Sequence, residues 1–271
     1  MKTGPRATLV GGRGFIGRHL HLKLIESAWS CYVPERDDPN LTQTDLGHVF
    51  YCAGLTADFR QRPYATVEAH IQVLAHILQR CKFTSLTYLS STRVYAGANS
   101  TDENAALTVK PYEPGDLYNL SKLMGESLCL NSGRAVRVVR LSNVYGQGMP
   151  EQNFLSEILF AAANEKKVEF RNAADSQKDY ISIHDVVHYL PLIASQGEIG
   201  IYNLAHGKNV AHLEIARILQ NLGVPCNFAA NAQSIQFSEI NIAKLQQSFG
   251  LAQHDLASDL PALYQHYCET T

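Results

Sequence analysis

Short apolar runs alternate with helix-period segments along the first half of the chain. Residues 6–10 form an apolar stretch that ends in glycine and predicts a strand. From Phe15 to Ala28, the residues Ile16, Leu20, Leu24 and Ile25 fall at helical spacing. Cys31-Tyr32-Val33 and His48 to Cys52 read as a second and a third strand. A long helix is expected over 62–80, with Val67, Ile71, Leu74, Ile77 and Leu78 on one side. A strand at 86–90, a helix at 116–131 and a strand at 135–141 follow. Such alternation predicts an α/β fold with a parallel sheet. After Gly146-Gln147-Gly148-Met149-Pro150 the pattern loosens, with helices near 153–164, 184–194 and 211–222 between short strands. The Gly and Pro cluster there marks a boundary near 148.

Composition narrows the class. The chain has 271 residues, 45% hydrophobic and 18% charged, enough for a sizeable core without metal or disulfides. Lys and Arg number 23 and Asp and Glu 25, a net charge of −2, so the basic excess of a nucleic-acid binder is missing. Six cysteines, Cys31, Cys52, Cys81, Cys129, Cys226 and Cys268, include no CxxC pair. No metal site is expected: His184 and His188 are four apart around Asp185, but a HExxH glutamate is missing. No stretch approaches the roughly 20 apolar residues of a membrane span, and the N-terminus lacks a signal-peptide core. A cytoplasmic protein without a membrane or nucleic-acid partner is the expectation.

The first chemical signal is Gly11-Gly12-Arg13-Gly14-Phe15-Ile16-Gly17, between an apolar strand and a helix. Glycines let the backbone approach a pyrophosphate, and the helix start supplies amide donors, so the turn points to a dinucleotide. Glu35, 24 residues after Gly11, suits a ribose 2′-hydroxyl and hence NAD. Arg13 and Arg36 suit a 2′-phosphate and hence NADP, which the two guanidinium groups slightly favour.

The second signal is Tyr118-Asn119-Leu120-Ser121-Lys122. Positions four apart share a helix face, so an ammonium beside the phenol is expected to lower its pKa and fit it for proton exchange. A strand ending in Leu89-Ser90-Ser91-Thr92-Arg93-Val94-Tyr95 precedes it. Hydroxyls at the carboxyl end of a parallel strand stand where such sheets bind ligands.

With these motifs in this order, the chain resembles the extended short-chain dehydrogenase/reductases of the NAD-dependent epimerase/dehydratase family. Arg140 to Gly146, Lys178 to Val187 and Ile201-Tyr202-Asn203-Leu204 with Gly207 resemble its later segments, so the likeness runs from residue 6 to the C-terminus. The resemblance implies a Rossmann-like doubly wound parallel sheet with a smaller α+β substrate domain. Residues 1–147 would bind NAD(P), with 175–205 returning to that domain, and 148–271 would form the remainder. It implies Tyr118 as acid/base, Lys122 as ribose ligand that lowers the tyrosine pKa, and Ser91 as the group orienting the substrate oxygen. Cofactor contacts would come from Gly11, Arg13, Gly14, Phe15, Ile16, Gly17, Glu35, Arg36, Cys52, Ala53, Gly54 and Lys122, and substrate contacts from Thr92, Asn143 and Lys178. The expected reaction is hydride transfer at a carbon of a nucleotide-linked sugar, for surface polysaccharide or glycosylated metabolites, in a homodimer.

Several positions depart from the family pattern. The link from Glu35 to His48 is short, so one βα unit is expected to be missing. His70 stands where the family commonly has Asn, and reads first as a satisfied structural histidine. Lys178 replaces an arginine that clamps diphosphate, and 223–240 contains no second arginine. Thr92-Arg93 replaces the Asp-Glu pair of sugar 4,6-dehydratases, which argues against dehydration. Two alternatives stay open: reduction of a keto-sugar without a nucleotide, and a degenerate NADP(H)-binding sensor or scaffold.

Overall fold

A computed structural model describes residues 4–55 and 59–270. The chain begins with β1 (Arg6–Val10), α1 (Phe15–Glu26), β2 (Ser30–Tyr32) and β3 (His48–Tyr51). Next come α2 (Pro63–Val67), a π-helical turn (Glu68–Gln72) and α3 (Val73–Arg80). Then follow β4 (Ser85–Ser91), a 3-10 turn (Thr92–Tyr95), α4 (Asp116–Leu130), β5 (Val136–Leu141) and β6 (Asn143–Tyr145). The second half holds α5 (Phe154–Asn164), β7 (Val168–Phe170), β8 (Gln177–Ser182), α6 (Ile183–Gln196) and β9 (Gly200–Leu204). It ends with β10 (Asn209–Ala211), α7 (His212–Asn221), β11 (Cys226–Phe228), α8 (Ala243–Phe249) and α9 (Leu256–Thr270).

Six parallel strands form the main sheet in the order β2-β1-β3-β4-β5-β9. Side chains alternate between its faces, as a two-sided parallel sheet requires. Leu9, Phe50, Val139 and Leu141 pack with α1 and α6 through Leu20, Leu24, Val186 and Leu190. Val10, Val49, Tyr51, Val136 and Val138 pack on the other face with Leu74, Ile77 and Cys129. Ile25, read as part of the α1 stripe, is exposed instead, whereas Leu20 and Leu24 are buried against the sheet and Ile16 packs beside them. The order reverses at β1, which places a crevice beyond the carboxyl ends of β1 and β3.

Residues between β2 and β3 add only a single 3-10 turn (Pro39–Thr42), so β2 is the sheet edge and one βα unit is missing there. Strands β10-β8-β6 make a second sheet, and β11-β7 a third. Around these, α5, α7 and α9 bury a separate core of Leu155, Leu159, Phe170, Ile215, Leu219 and Leu260. Among the described residues, no helix is long and apolar enough to cross a membrane.

Candidate active site

The glycine turn shows why its residues are small. Gly11 has φ +78°, and a Cβ there would lie 2.6 Å from the Ala53 backbone nitrogen. A Cβ at Gly17 would lie 2.5 Å from the Gly11 carbonyl, so this glycine lets α1 start against the turn. Gly14 caps α1 without any side-chain hydrogen bond, leaving the first-turn amides free of a protein side-chain acceptor. A cradle that a Cβ would fill, opening a helix, fits a dinucleotide pyrophosphate.

A cavity of about 600 Å³ opens from this turn. It brings together Phe15, Ile16, Cys52, Ala53 and Gly54 with Ser91, Thr92, Tyr118, Lys122, Asn143 and Lys178. Gly11, Gly14 and Gly17 form the adjoining turn. Arg13, Glu35 and Arg36 lie outside the cavity lining. Arg13 pairs with Glu35, and Arg36 pairs with Glu68 at 2.8 Å, so each guanidinium already faces a carboxylate.

The reactive groups sit on two elements. Strand β4 delivers Ser91, whose Oγ accepts from the Arg93 amide at 3.2 Å and starts the 3-10 turn. Helix α4 carries Tyr118 and Lys122 one turn apart, both buried. Lys122 Nζ donates to the Leu89 carbonyl at 2.9 Å and stands 5.8 Å from the Tyr118 ring centre. Burial lowers the Lys122 pKa to about 8, against the pull of Glu126 and Cys52. Burial also pushes the Tyr118 phenol up to about 12, opposed by a hydrogen bond with Ser91 and by the charge of Arg93. Burial outweighs these two, so the net shift is upward where the four-residue spacing suggested a downward one.

His70 occupies the π-helical turn and is fully buried. Its Nε2 accepts from the Leu55 amide at 3.2 Å, and its Nδ1 meets Ser121 Oγ at 2.8 Å. Ser121 Oγ in turn donates to the Tyr118 carbonyl at 2.8 Å. The hydroxyl proton is thus spent, so His70 Nδ1 carries the hydrogen and the ring is neutral. Burial, with Lys122 nearby, depresses its pKa to about 3. The ring stands edge-on to Tyr118 with centroids 5.5 Å apart.

On the substrate side, Asn143 Nδ2 donates to the Asp179 carbonyl at 2.8 Å. Lys178 Nζ lies 4.7 Å from the Phe154 ring centre. No motif in the sequence marks Phe154, or Phe237, Ser238 and Ile240 from an irregular stretch, as cavity walls. Asn119 and Arg93 also line it, and both lie inside the motifs already singled out, next to Tyr118 and two residues after Ser91.

A glycine-cradled switch-point crevice that runs into a Ser, Tyr and Lys cluster defines a Rossmann-type oxidoreductase scaffold. The NAD dependent epimerase/dehydratase family model matches residues 7–205, and the chain belongs to that family. GDP-6-deoxy-D-mannose reductase of Pseudomonas aeruginosa is 27% identical, over 80% of each chain. dTDP-D-glucose 4,6-dehydratase of Dictyostelium discoideum is 23% identical over 80% of this chain but only 62% of its own length. Among solved structures, UDP-glucuronic acid 4-epimerase from Bacillus cereus, in complex with UDP-glucuronic acid and NAD, aligns with TM-score 0.80 at 18% identity. That alignment covers 98% of this chain and all of the epimerase chain (100%). RMD from Pseudomonas aeruginosa, complexed with NADPH, aligns with TM-score 0.77 at 24% identity, over 97% of this chain and 100% of that one.

Proposed function

We propose that the protein is an NAD(P)-dependent enzyme that transfers hydride at one carbon of a nucleotide-linked sugar, as an epimerase or a keto-sugar reductase. The observation that carries this reading is the convergence of Ser91, Tyr118 and Lys122 on one cavity that adjoins the glycine turn. Gly11, Gly14 and Gly17 with Phe15, Ile16, Cys52, Ala53, Gly54 and Lys122 would hold the cofactor. Arg13, Glu35 and Arg36 would meet its adenosine end. When bound, the nicotinamide supplies C4 as hydride acceptor or donor. Ser91 Oγ orients the substrate oxygen, and Tyr118 Oη gives that oxygen a proton on reduction or takes it on oxidation. With its pKa near 12, Tyr118 is protonated at neutral pH and poised to donate. Lys122, anchored on Leu89, keeps a positive charge beside the phenol below about pH 8.

Thr92, Asn143 and Lys178 would contact the sugar nucleotide. Dehydration is disfavoured because Thr92 and Arg93 offer no carboxyl acid/base pair. The cavity's two carboxylates are already engaged: Asp179 by the His206 and Gly207 amides, Asp116 by the Lys110 amide and Asn119. In this reading residues 1–147 with the return over 175–205 carry the cofactor, and the rest of 148–271 closes over the substrate. The protein works in the cytoplasm, as a homodimer for which exposed Met124 and Leu130 of α4 offer apolar contact.

The test is to denature purified protein and identify released nicotinamide by mass spectrometry. Retained NAD or NADH supports internal redox and an epimerase. Protein that emerges empty and then binds NADPH supports a reductase. Failure to bind any nicotinamide dinucleotide overturns the proposal and leaves the sensor or scaffold reading without its ligand as well.

A further inference from the structure

Arg93 brings a guanidinium to the wall of the cavity. Among the described residues its guanidinium forms no ion pair and donates no hydrogen bond to a side chain or carbonyl; only its backbone amide is engaged, by Ser91. It lies over two rings, 5.4 Å from the centre of Phe59 and 5.8 Å from that of Tyr118. Cation–π attraction holds the guanidinium against these rings, and its N–H groups stay available to a ligand.

Its surroundings are mostly repulsive. Nη2 sits against the start of α4, where a Cβ on Gly115 would lie 2.9 Å from it, so it faces the positive end of that helix. Arg60 and Lys178 repel it as well. Among the described residues Asp116 is the carboxylate that offsets these charges, and both its oxygens already accept hydrogen bonds, from the Lys110 amide at 2.7 Å and Asn119 at 2.9 Å. A half-buried guanidinium held in this way is stabilised by an anion supplied from outside.

Position decides which anion. Whatever carbon reacts must hold its oxygen within hydrogen-bond reach of Tyr118 Oη. A guanidinium over the Tyr118 ring is therefore placed for substituents close to that carbon. The diphosphate of a nucleotide sugar, joined beyond the anomeric carbon, would meet Lys178 instead. We propose that Arg93 forms a subsite for a carboxylate carried by the sugar ring, so that the substrate is a nucleotide-linked uronate or a related acidic sugar. This inference rests on the nucleotide-sugar reading given above and narrows it.

The experiment is calorimetric binding to protein preloaded with its nicotinamide cofactor. Matched pairs are compared: UDP-glucuronic acid with UDP-glucose, and the corresponding GDP- and dTDP-linked acidic and neutral sugars, each alongside the bare nucleoside diphosphate. In the pair that binds, the acidic member is expected to bind roughly ten-fold or more tighter, the worth of a charged hydrogen-bonded pair. Arg93→Gln is expected to bring the two members within about two-fold of each other while leaving the bare nucleoside diphosphate unaffected. Arg93→Lys, which keeps charge but not the fork, retains part of the preference and serves if the glutamine variant does not fold.

Equal binding of acidic and neutral sugars by the wild type overturns the subsite and leaves the nucleotide-sugar reading intact. Survival of the preference in Arg93→Gln overturns it too. Equal weakening of acidic sugar, neutral sugar and bare diphosphate assigns Arg93 to the diphosphate and overturns the carboxylate. Binding of no nucleotide sugar to protein that does hold nicotinamide overturns the substrate class itself, and the subsite with it.

Discussion

The two ends of the cavity are held in opposite ways. At the catalytic end, Tyr118, Lys122 and His70 are 4%, 5% and 0% exposed, each locked by hydrogen bonds to a strand, a loop or a neighbouring helix turn. At the adenosine end, the side chains of Arg13 and Glu35 are 73% and 64% exposed and pair with each other. Buried charges feel a low dielectric and act strongly, whereas exposed pairs contribute little. The difference separates the chemistry, fixed in the interior, from cofactor preference, which rests on side chains that solvent screens. The missing βα unit after β2 strips cover from the second end and leaves the first untouched.

That contrast can be broken or sharpened by mutation. Tyr118→Phe is expected to lower turnover by about 10³-fold with nicotinamide affinity unchanged, as read by kcat and calorimetry. Lys122→Met follows at roughly 10²-fold, and it also weakens nicotinamide binding because its Nζ stands at both functions. His70 makes the next prediction, on stability. Its folded pKa is about 3, depressed below the unfolded value, so only the unfolded chain takes up a proton as the pH falls. Stability is whole above about pH 6.5 and declines below it by about 1.4 kcal/mol per pH unit, or about 2 kcal/mol by pH 5. His212, depressed to about 4, adds a parallel loss. His70→Gln should remove one proton's worth of that slope in urea unfolding measured between neutral and mildly acid pH. An unchanged slope would show that His70 is not the buried neutral ring described. Arg13→Ala is expected to have the smallest effect, a shift of less than about ten-fold toward NADH over NADPH with Tm unchanged. If it lowered kcat as Tyr118→Phe does, the separation of the two ends would fail.

Much of this arrangement was legible in local signals. The glycine turn, the strand that precedes it and the Tyr118 to Lys122 spacing are set within a few residues, and the short link from Glu35 to His48 foretold the missing βα unit. Helix α9 lies outside the elements expected from the pattern, although Leu256, Leu260 and Leu263 bury one helical stripe. Other features had no local mark. A single π turn within residues 62–80 leaves the apolar periodicity almost intact, yet it is what places His70 beneath Tyr118. Phe237, Ser238 and Ile240 reach the cavity from a stretch without regular structure, through contacts far apart in the chain. The sign of the Tyr118 shift also depended on burial and on Arg93, neither of which helical spacing encodes.

The most direct test of the account follows the absorbance of reduced nicotinamide in protein loaded with NAD or NADP when acidic and neutral nucleotide sugars are added. Hydride transfer through Tyr118 predicts a sugar-dependent rise in the wild type that is lost in Tyr118→Phe, although the variant still holds the cofactor. An equal rise in the variant, or no rise in the wild type with any sugar of either kind, would contradict it.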